Sequence, residues 1–218
     1  FFDPQGHLSR GVAFAEQING IHRALQDAKQ QWGMTFKLIM SFLRHLSEES
    51  AFETLELAKP FLPLIDGVGL DSSEVGHPPE KFLRVFAACK QLGLKVTAHA
   101  GEEGPPEYVW QAIEQIGVDR IDHGNRALED DKLIEDIKKR NLTLTVCPLS
   151  NLKLCVVTDM TEHPIKKMLS LGLHATVNSD DPAYFGGYMN DNYASLLRET
   201  NINKKEQFKL AKNGHCGR

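Results

Sequence analysis

Short apolar runs alternate with helix-patterned stretches along this chain, and that alternation constrains its fold more than any other feature. Runs at 37–43, 64–71, 95–98, 120–122, 142–147 and 174–178 read as strands, each bounded by polar or turn-forming residues. Stretches at 48–62, 79–92, 105–116, 129–140 and 164–171 read as helices, with Pro78-Pro79 suited to a first turn. Ahead of the first strand, apolar residues at 14, 18, 21, 25, 28 and 32 step by four and three, one face of a long helix. A polar, helical-looking tail follows from Asp191. Six short strands, mostly followed by a helix, imply a parallel sheet, either doubly wound or closed into a barrel.

The placement of polar residues favours the barrel. A doubly wound sheet shows a glycine-rich phosphate loop after its first strand, whereas here Gly67-Val68-Gly69 sits inside a strand and no P-loop pattern occurs. A barrel spreads its chemistry over many strand ends. Asp71, His99, His123, Asn151 and Asp180 lie at or just past five of them. The expected fold is α/β, a (β/α)8 TIM barrel forming one incomplete domain over 1–218. Six strands fall short of eight, so about two strand–helix units are expected to be missing from the N-terminal side. An open parallel sheet would leave edges and apolar faces in water. The stretch 214–218 breaks the preceding helix pattern without an evident role.

Composition narrows the function classes. A formal net charge of −4 provides no basic surface for nucleic acid. No apolar run approaches the roughly 18 residues of a membrane span, and Phe1-Phe2-Asp3-Pro4-Gln5 lacks the basic region and apolar core of a signal peptide. The four cysteines, at 89, 147, 155 and 216, form no C-x-x-C pair. Cys89 and Cys147 lie in apolar runs, as buried thiols do in a reducing compartment, so a cytoplasmic protein is expected. The sequence leaves the oligomeric state open.

The strand ends carry groups suited to metal-assisted hydrolysis. His99 and Asp180 are first candidates for a zinc site, since zinc takes imidazole and carboxylate ligands and a catalytic site keeps one position for water. Glu102, three residues past His99, is placed to pass a proton to substrate, and His123 to orient or deprotonate the attacking water. Asp181 adds a carboxylate for a substrate nitrogen. Each has a plainer reading: a hydrogen-bonded structural histidine, a turn cap at Asp180-Asp181-Pro182, or a solvated helix start at Glu102-Glu103. Cys147 reads as core, and His163-Pro164 as a helix entry. Joint occurrence at successive strand ends supports a metal hydrolase more than any one residue does.

His-Ala-Gly-Glu at 99–102, Asp-His-Gly at 122–124, Cys-Pro-Leu-Ser-Asn at 147–151 and Asn-Ser-Asp-Asp-Pro at 178–182 resemble the adenosine/adenine deaminase family of zinc barrels, in order and in spacing. The resemblance covers nearly everything from Phe1 to about residue 213. It implies one zinc ion and hydrolytic loss of ammonia from a 6-aminopurine. It also implies His99 and Asp180 as zinc ligands, Glu102 as proton donor to the ring, His123 as the helper of the attacking hydroxide, and Asp181 as a hydrogen-bond partner of the purine's imidazole edge.

Within the family, Ser72-Ser73-Glu74 after Asp71 is similar to the adenine-specific branch, where adenosine-specific members tend to carry a Leu-Ala-Gly-Asp-Glu-like run. Pro182 to Tyr188 and Phe2-Asp3-Pro4-Gln5 resemble that branch too. The resemblance places Ser73 and Glu74 beside the substrate, with the Glu74 carboxylate filling space that a glycine leaves for ribose. Adenine is the expected small-molecule substrate. Adenosine and a non-catalytic purine-binding barrel are the alternatives. A phosphoesterase or lactonase on a similar barrel is disfavoured, because no bridging lysine or extra middle-strand histidine is evident. The family's first strand supplies a His-x-His pair of zinc ligands, and no His-x-His occurs in these 218 residues. The chain alone is therefore expected to bind zinc weakly and to turn over little.

Overall fold

The alternation is realised as six parallel strands ordered as in the chain. They are β1 (Ile39–Leu43), β2 (Gly67–Asp71), β3 (Lys95–Ala100), β4 (Arg120–His123), β5 (Thr143–Val146) and β6 (His174–Val177), in a computed structural model that describes residues 1–216. This is the connectivity of six successive units of a (β/α)8 barrel, as expected. Two compact units divide the chain.

The first unit comprises Phe1–Ala98 and Gln111–Asp119. It holds α1 (Pro4–Leu8), α2 (Phe14–Trp32), α3 (Glu48–Ala58) and α4 (Leu83–Gln91) around β1, β2 and the start of β3. β1 and β2 pair from Ile39↔Gly67 to Leu43↔Asp71, and β2 meets β3 at Gly67↔Lys95 and Val68↔Val96. All of β2 is buried, as befits a strand covered on both faces. Gly69 permits the close approach of β1, since a Cβ there would lie 2.7 Å from Ser41 Oγ. Met40, Phe42, Val68, Leu70, Phe82 and Phe86 are fully buried. Phe42 and Phe86 meet edge to face at 5.9 Å, and each large apolar side chain so buried contributes roughly 1.5–3 kcal/mol.

α3 stops at Ala58 rather than near 62. Pro60 and Pro63 lack the amide hydrogens a continuing helix needs, so 3₁₀ geometry takes over from Lys59 to Leu64. Glu48, on the first turn of α3, caps its neighbour: its Oε1 accepts from the Arg84 and Val85 amides at 2.7 and 3.0 Å, at the start of α4.

The second unit comprises His99–Trp110 and the described chain from Arg120 onward. β4, β5 and β6 pair through Ile121↔Leu144 and Asp122↔Thr145, then from Thr143↔His174 to Val146↔Val177. The helices are α5 (Pro106–Gln111), α6 (Asp131–Arg140), α7 (Pro148–Lys153), α8 (Ile165–Ser170), α9 (Pro182–Phe185), α10 (Met189–Glu199) and α11 (Lys204–Cys216). After α5 the chain forms a π-helical turn, Ala112–Ile116, which belongs to the first unit and ends at Gly117 with φ 67. Ile121, Leu133, Ile137, Leu144, Val146, Met168, Ala175 and Leu210 are fully buried.

Polar ties fix the later helices. Asn213 Nδ2 donates to Ala175 O at 2.8 Å, tying α11 to β6, and Asn192 Oδ1 accepts the Leu149 amide at 3.0 Å, tying α10 to α7. α11 continues through Gly214 to Cys216, so the expected break at 214 is absent; Gly217 and Arg218 lie outside the described residues. Among the described residues no helix is long and apolar enough to cross a membrane.

Candidate active site

Backbone turns at three strand ends aim the site's side chains. His99 is the penultimate residue of β3, and the chain reverses at Gly101 with φ 73. A Cβ on Gly101 would come within 2.6 Å of Val109 Cγ2. This turn therefore requires glycine on both conformational and steric grounds, and it brings Glu102 back beside His99. β4 ends on His123, itself left-handed at φ 65, followed by Gly124 at φ 77. After β6, the Asn178 amide donates to Val146 O at 2.9 Å and its side chain to Thr176 Oγ1 at 2.9 Å. That anchors the turn in which Asp180 is left-handed at φ 54. Side chains of this kind adopt such torsions at a cost of order 1–3 kcal/mol, and the surrounding structure must enforce them.

The second unit brings the expected residues together. The His99 and His123 rings meet edge to face with centroids 4.6 Å apart. Glu102 Oε1 lies 3.2 Å from His123 Nδ1. Nδ1 makes no aligned hydrogen bond, so that approach is an ionic-range contact. The donor atoms of His99, Glu102 and His123 all lie within 4.8 Å of one another, as do those of His123, Cys147 and Asp180. His123 is the corner common to both clusters and is buried, as are Glu102 and Cys147, while His99 and Asp180 are half-buried.

Asp181 stands exposed next to Asp180 at the start of α9. Ser73 and Glu74 belong to the first unit, in the turn after β2, where Ser73 is exposed and Glu74 buried. That turn also holds a left-handed residue, Ser72 at φ 73, whose Oγ lies 2.9 Å from His45 Nδ1.

Three further residues join the site. Cys147 is buried as expected of a core thiol, yet its sulfur belongs to the second cluster. Burial and the Asp180, Glu102 and Asp122 carboxylates push its thiol well above the usual range. Its place directly after β5 was the available signal. Asn151 Nδ2 donates to Glu102 Oε1 at 3.0 Å, and Asn151 Oδ1 accepts from Asn125 Nδ2 at 2.8 Å. His163 Nε2 lies 3.4 Å from that same Asn151 oxygen, and burial pushes this imidazole down to about 4. Nothing in the spacing of His163 marked it.

A second imidazole, two carboxylates and a thiol within reach of the buried His123 ring complete a donor set that fits zinc in chemistry. A buried His123 Nδ1 without an aligned partner is the kind of orphaned polar atom that an ion or an ion's ligand would satisfy. His99 and Asp180, with His123, Glu102 and Cys147 beside them, are the residues that could hold it.

A family profile described as adenosine deaminase matches residues 1–217. The chain is 83% identical over 217 residues to an adenine deaminase of Marinomonas sp. (strain MWYL1), spanning 100% of this chain and 65% of that protein. Among solved structures, adenine deaminase from Arthrobacter aurescens superposes with a TM-score of 0.97 at 44% identity, over 99% of this chain and 66% of that one. An amidohydrolase from Burkholderia ambifaria with bound Zn superposes with a TM-score of 0.93 at 26% identity, over 100% of this chain and 62% of that one.

Proposed function

The chain belongs to the adenosine deaminase family, and from that premise we propose that its strand-end residues carry the hydrolytic deamination of adenine, giving hypoxanthine and ammonia with zinc as cofactor. The observation that carries the proposal is the convergence of His99, Glu102, His123 and Asp180 through two donor clusters sharing His123. The names of the Marinomonas and Arthrobacter proteins favour adenine over adenosine. The bound Zn of the Burkholderia amidohydrolase favours zinc as the metal.

His99 and Asp180 would be this chain's zinc ligands, and the bound ion would lower the pKa of a water from 15.7 to about 7, supplying the nucleophile at neutral pH. Glu102 protonates the ring nitrogen next to the amino-bearing carbon, which makes that carbon electrophilic. His123 takes the proton that the attacking water gives up. Its edge-to-face contact with His99 and its approach to Glu102 keep the ring within the site. The leaving nitrogen departs as ammonia, so adenine plus water balances hypoxanthine plus ammonia. Asp181 accepts a hydrogen bond from the imidazole edge of the purine. Ser73 and Glu74 are assigned to substrate binding, the Glu74 carboxylate excluding ribose. The setting is cytoplasmic, as the thiol usage suggests.

Ammonia release from adenine beside adenosine, measured on the complete natural polypeptide containing this chain together with its metal content, tests the reading. Adenine is expected to be the better substrate at one zinc per chain. Glu102→Gln should lower kcat by ~10²–10⁴ while retaining zinc, the range for losing a general acid–base group. No turnover of adenine by zinc-loaded protein, or a kcat within threefold of wild type in Glu102→Gln, overturns it.

A further inference from the structure

The proton-transfer carboxylate is held by a directional chain of uncharged groups. The Ile165 amide donates to His163 Nδ1 at 3.3 Å, so the ring proton of neutral His163 sits on Nε2. Nε2 points at Asn151 Oδ1 from 3.4 Å, and Asn125 Nδ2 donates to the same oxygen at 2.8 Å. With two donors aimed at its oxygen, the Asn151 amide can present only its nitrogen to the other side. There Nδ2 donates to Glu102 Oε1 at 3.0 Å. A flipped amide would set oxygen against carboxylate and nitrogen against two donors.

The carrier of this chain is itself immobilised. Asn151 is fully buried on α7, its amide donates to Cys147 O at 2.9 Å, and its carbonyl accepts the Val156 amide at 2.9 Å. His163 and Asn125 are buried as well. Low-dielectric surroundings strengthen each of these bonds, while Asn125 Oδ1 is buried without a hydrogen-bond partner. Neither His163 nor Asn151 is charged, so what reaches Glu102 is one directed hydrogen bond that holds its Oε1 in place.

We propose that Asn151, aimed by His163 and Asn125, is the positioning residue for the Glu102 carboxyl group, setting the oxygen from which the ring proton is transferred. The proposal rests on the assignment of Glu102 above. Outer partners of this kind act through the group they orient, and their removal costs about 10–100-fold. Asn151 reaches the reaction through Glu102, so its loss is expected to fall on kcat and not on KM.

The test is a double-mutant cycle in the complete natural polypeptide, with kcat referred to zinc-loaded, folded enzyme. Asn151→Ala is expected to lower kcat about 10–100-fold, with KM for adenine, zinc content and the far-UV spectrum unchanged. In a Glu102→Gln background the same substitution should add less than about twofold, because its target is already gone. Losses that multiply in the cycle, or an Asn151→Ala kcat within about twofold of wild type, overturn the proposal. A kcat undiminished by Glu102→Gln removes the prior assignment instead, so the two failures are distinguishable. Should Asn151→Ala fail to fold, a second pair decides. His163→Gln keeps an N–H donor toward Asn151 and should retain kcat within about threefold, whereas His163→Leu should lose about tenfold. Equal kcat for that pair overturns the proposal.

Discussion

Buried His163 carries a consequence for stability as well as geometry. Its imidazole ionises near 6.5 when unfolded and near about 4 in the fold. Between those values the unfolded chain binds a proton that the folded chain does not, so stability rises with pH across the window. The contribution is complete above pH 6.5 and lost as pH falls toward 4, for about 3 kcal/mol in all. Urea unfolding of wild type and His163→Gln across that range should show a shallower pH slope in the variant; equal slopes would contradict the assignment. Under the proposed function, Glu74 would govern substrate choice. Glu74→Gly is expected to raise kcat/KM for adenosine relative to adenine by about tenfold or more, since one removed steric conflict is worth ~1–3 kcal/mol. An unchanged ratio removes ribose exclusion from the account. At this scale His99, Glu102, His123, Asp180 and Asp181 were legible as strand-end polar residues. Asn151 was legible at a strand end but without a role, His163 was read as a helix entry, and Asn125 was not singled out, because a group that acts through another side chain does not show its partner in the spacing.

Elements were legible where period and length coincide. The four-and-three spacing from Phe14 to Trp32 is observed as α2, 19 residues long and ended by Gly33 at φ 66. All six strands lie where apolar runs placed them, within about three residues at each end. α1, α7 and α9 went unread because helices of four to six residues display less than two turns of periodicity. Boundaries moved where backbone chemistry overrode hydrophobic pattern, as at Pro60 and Pro63 behind α3. α6 offers a direct test of such chemistry. Asp130 Oδ1 accepts the Lys132 and Leu133 amides at 2.9 and 3.3 Å, while Oδ2 takes the Trp110 indole N–H at 2.8 Å. These bonds hold its carboxyl below the usual range, the Trp110 bond most of all. Asp130→Ala should lower the urea midpoint of unfolding, and an unchanged midpoint would show the cap to be idle.

At the scale of the whole molecule, the chain spans 65% of the Marinomonas protein and 66% of the Arthrobacter one, and metal retention is the property most sensitive to that share. These residues supply His99 and Asp180 but no His-x-His pair, and a catalytic zinc site takes three protein ligands. The 218-residue chain alone should therefore bind zinc at least about 100-fold more weakly than a polypeptide carrying the remaining ligands, as measured by competition with a chromophoric chelator. Tight, equimolar zinc on the verified 218-residue chain would refute this and point to Cys147 or His123 as a further ligand.

The left-handed corners at Gly101, His123, Gly124 and Asp180 bear on how such a site meets its guest. These backbone turns are fixed by folding and set where the His123 and Asp180 side chains begin, so little backbone freedom remains to be surrendered on encounter. Under the proposed function a purine would enter a finished mould, and discrimination among purines would then follow from shape instead of from how far the walls can yield.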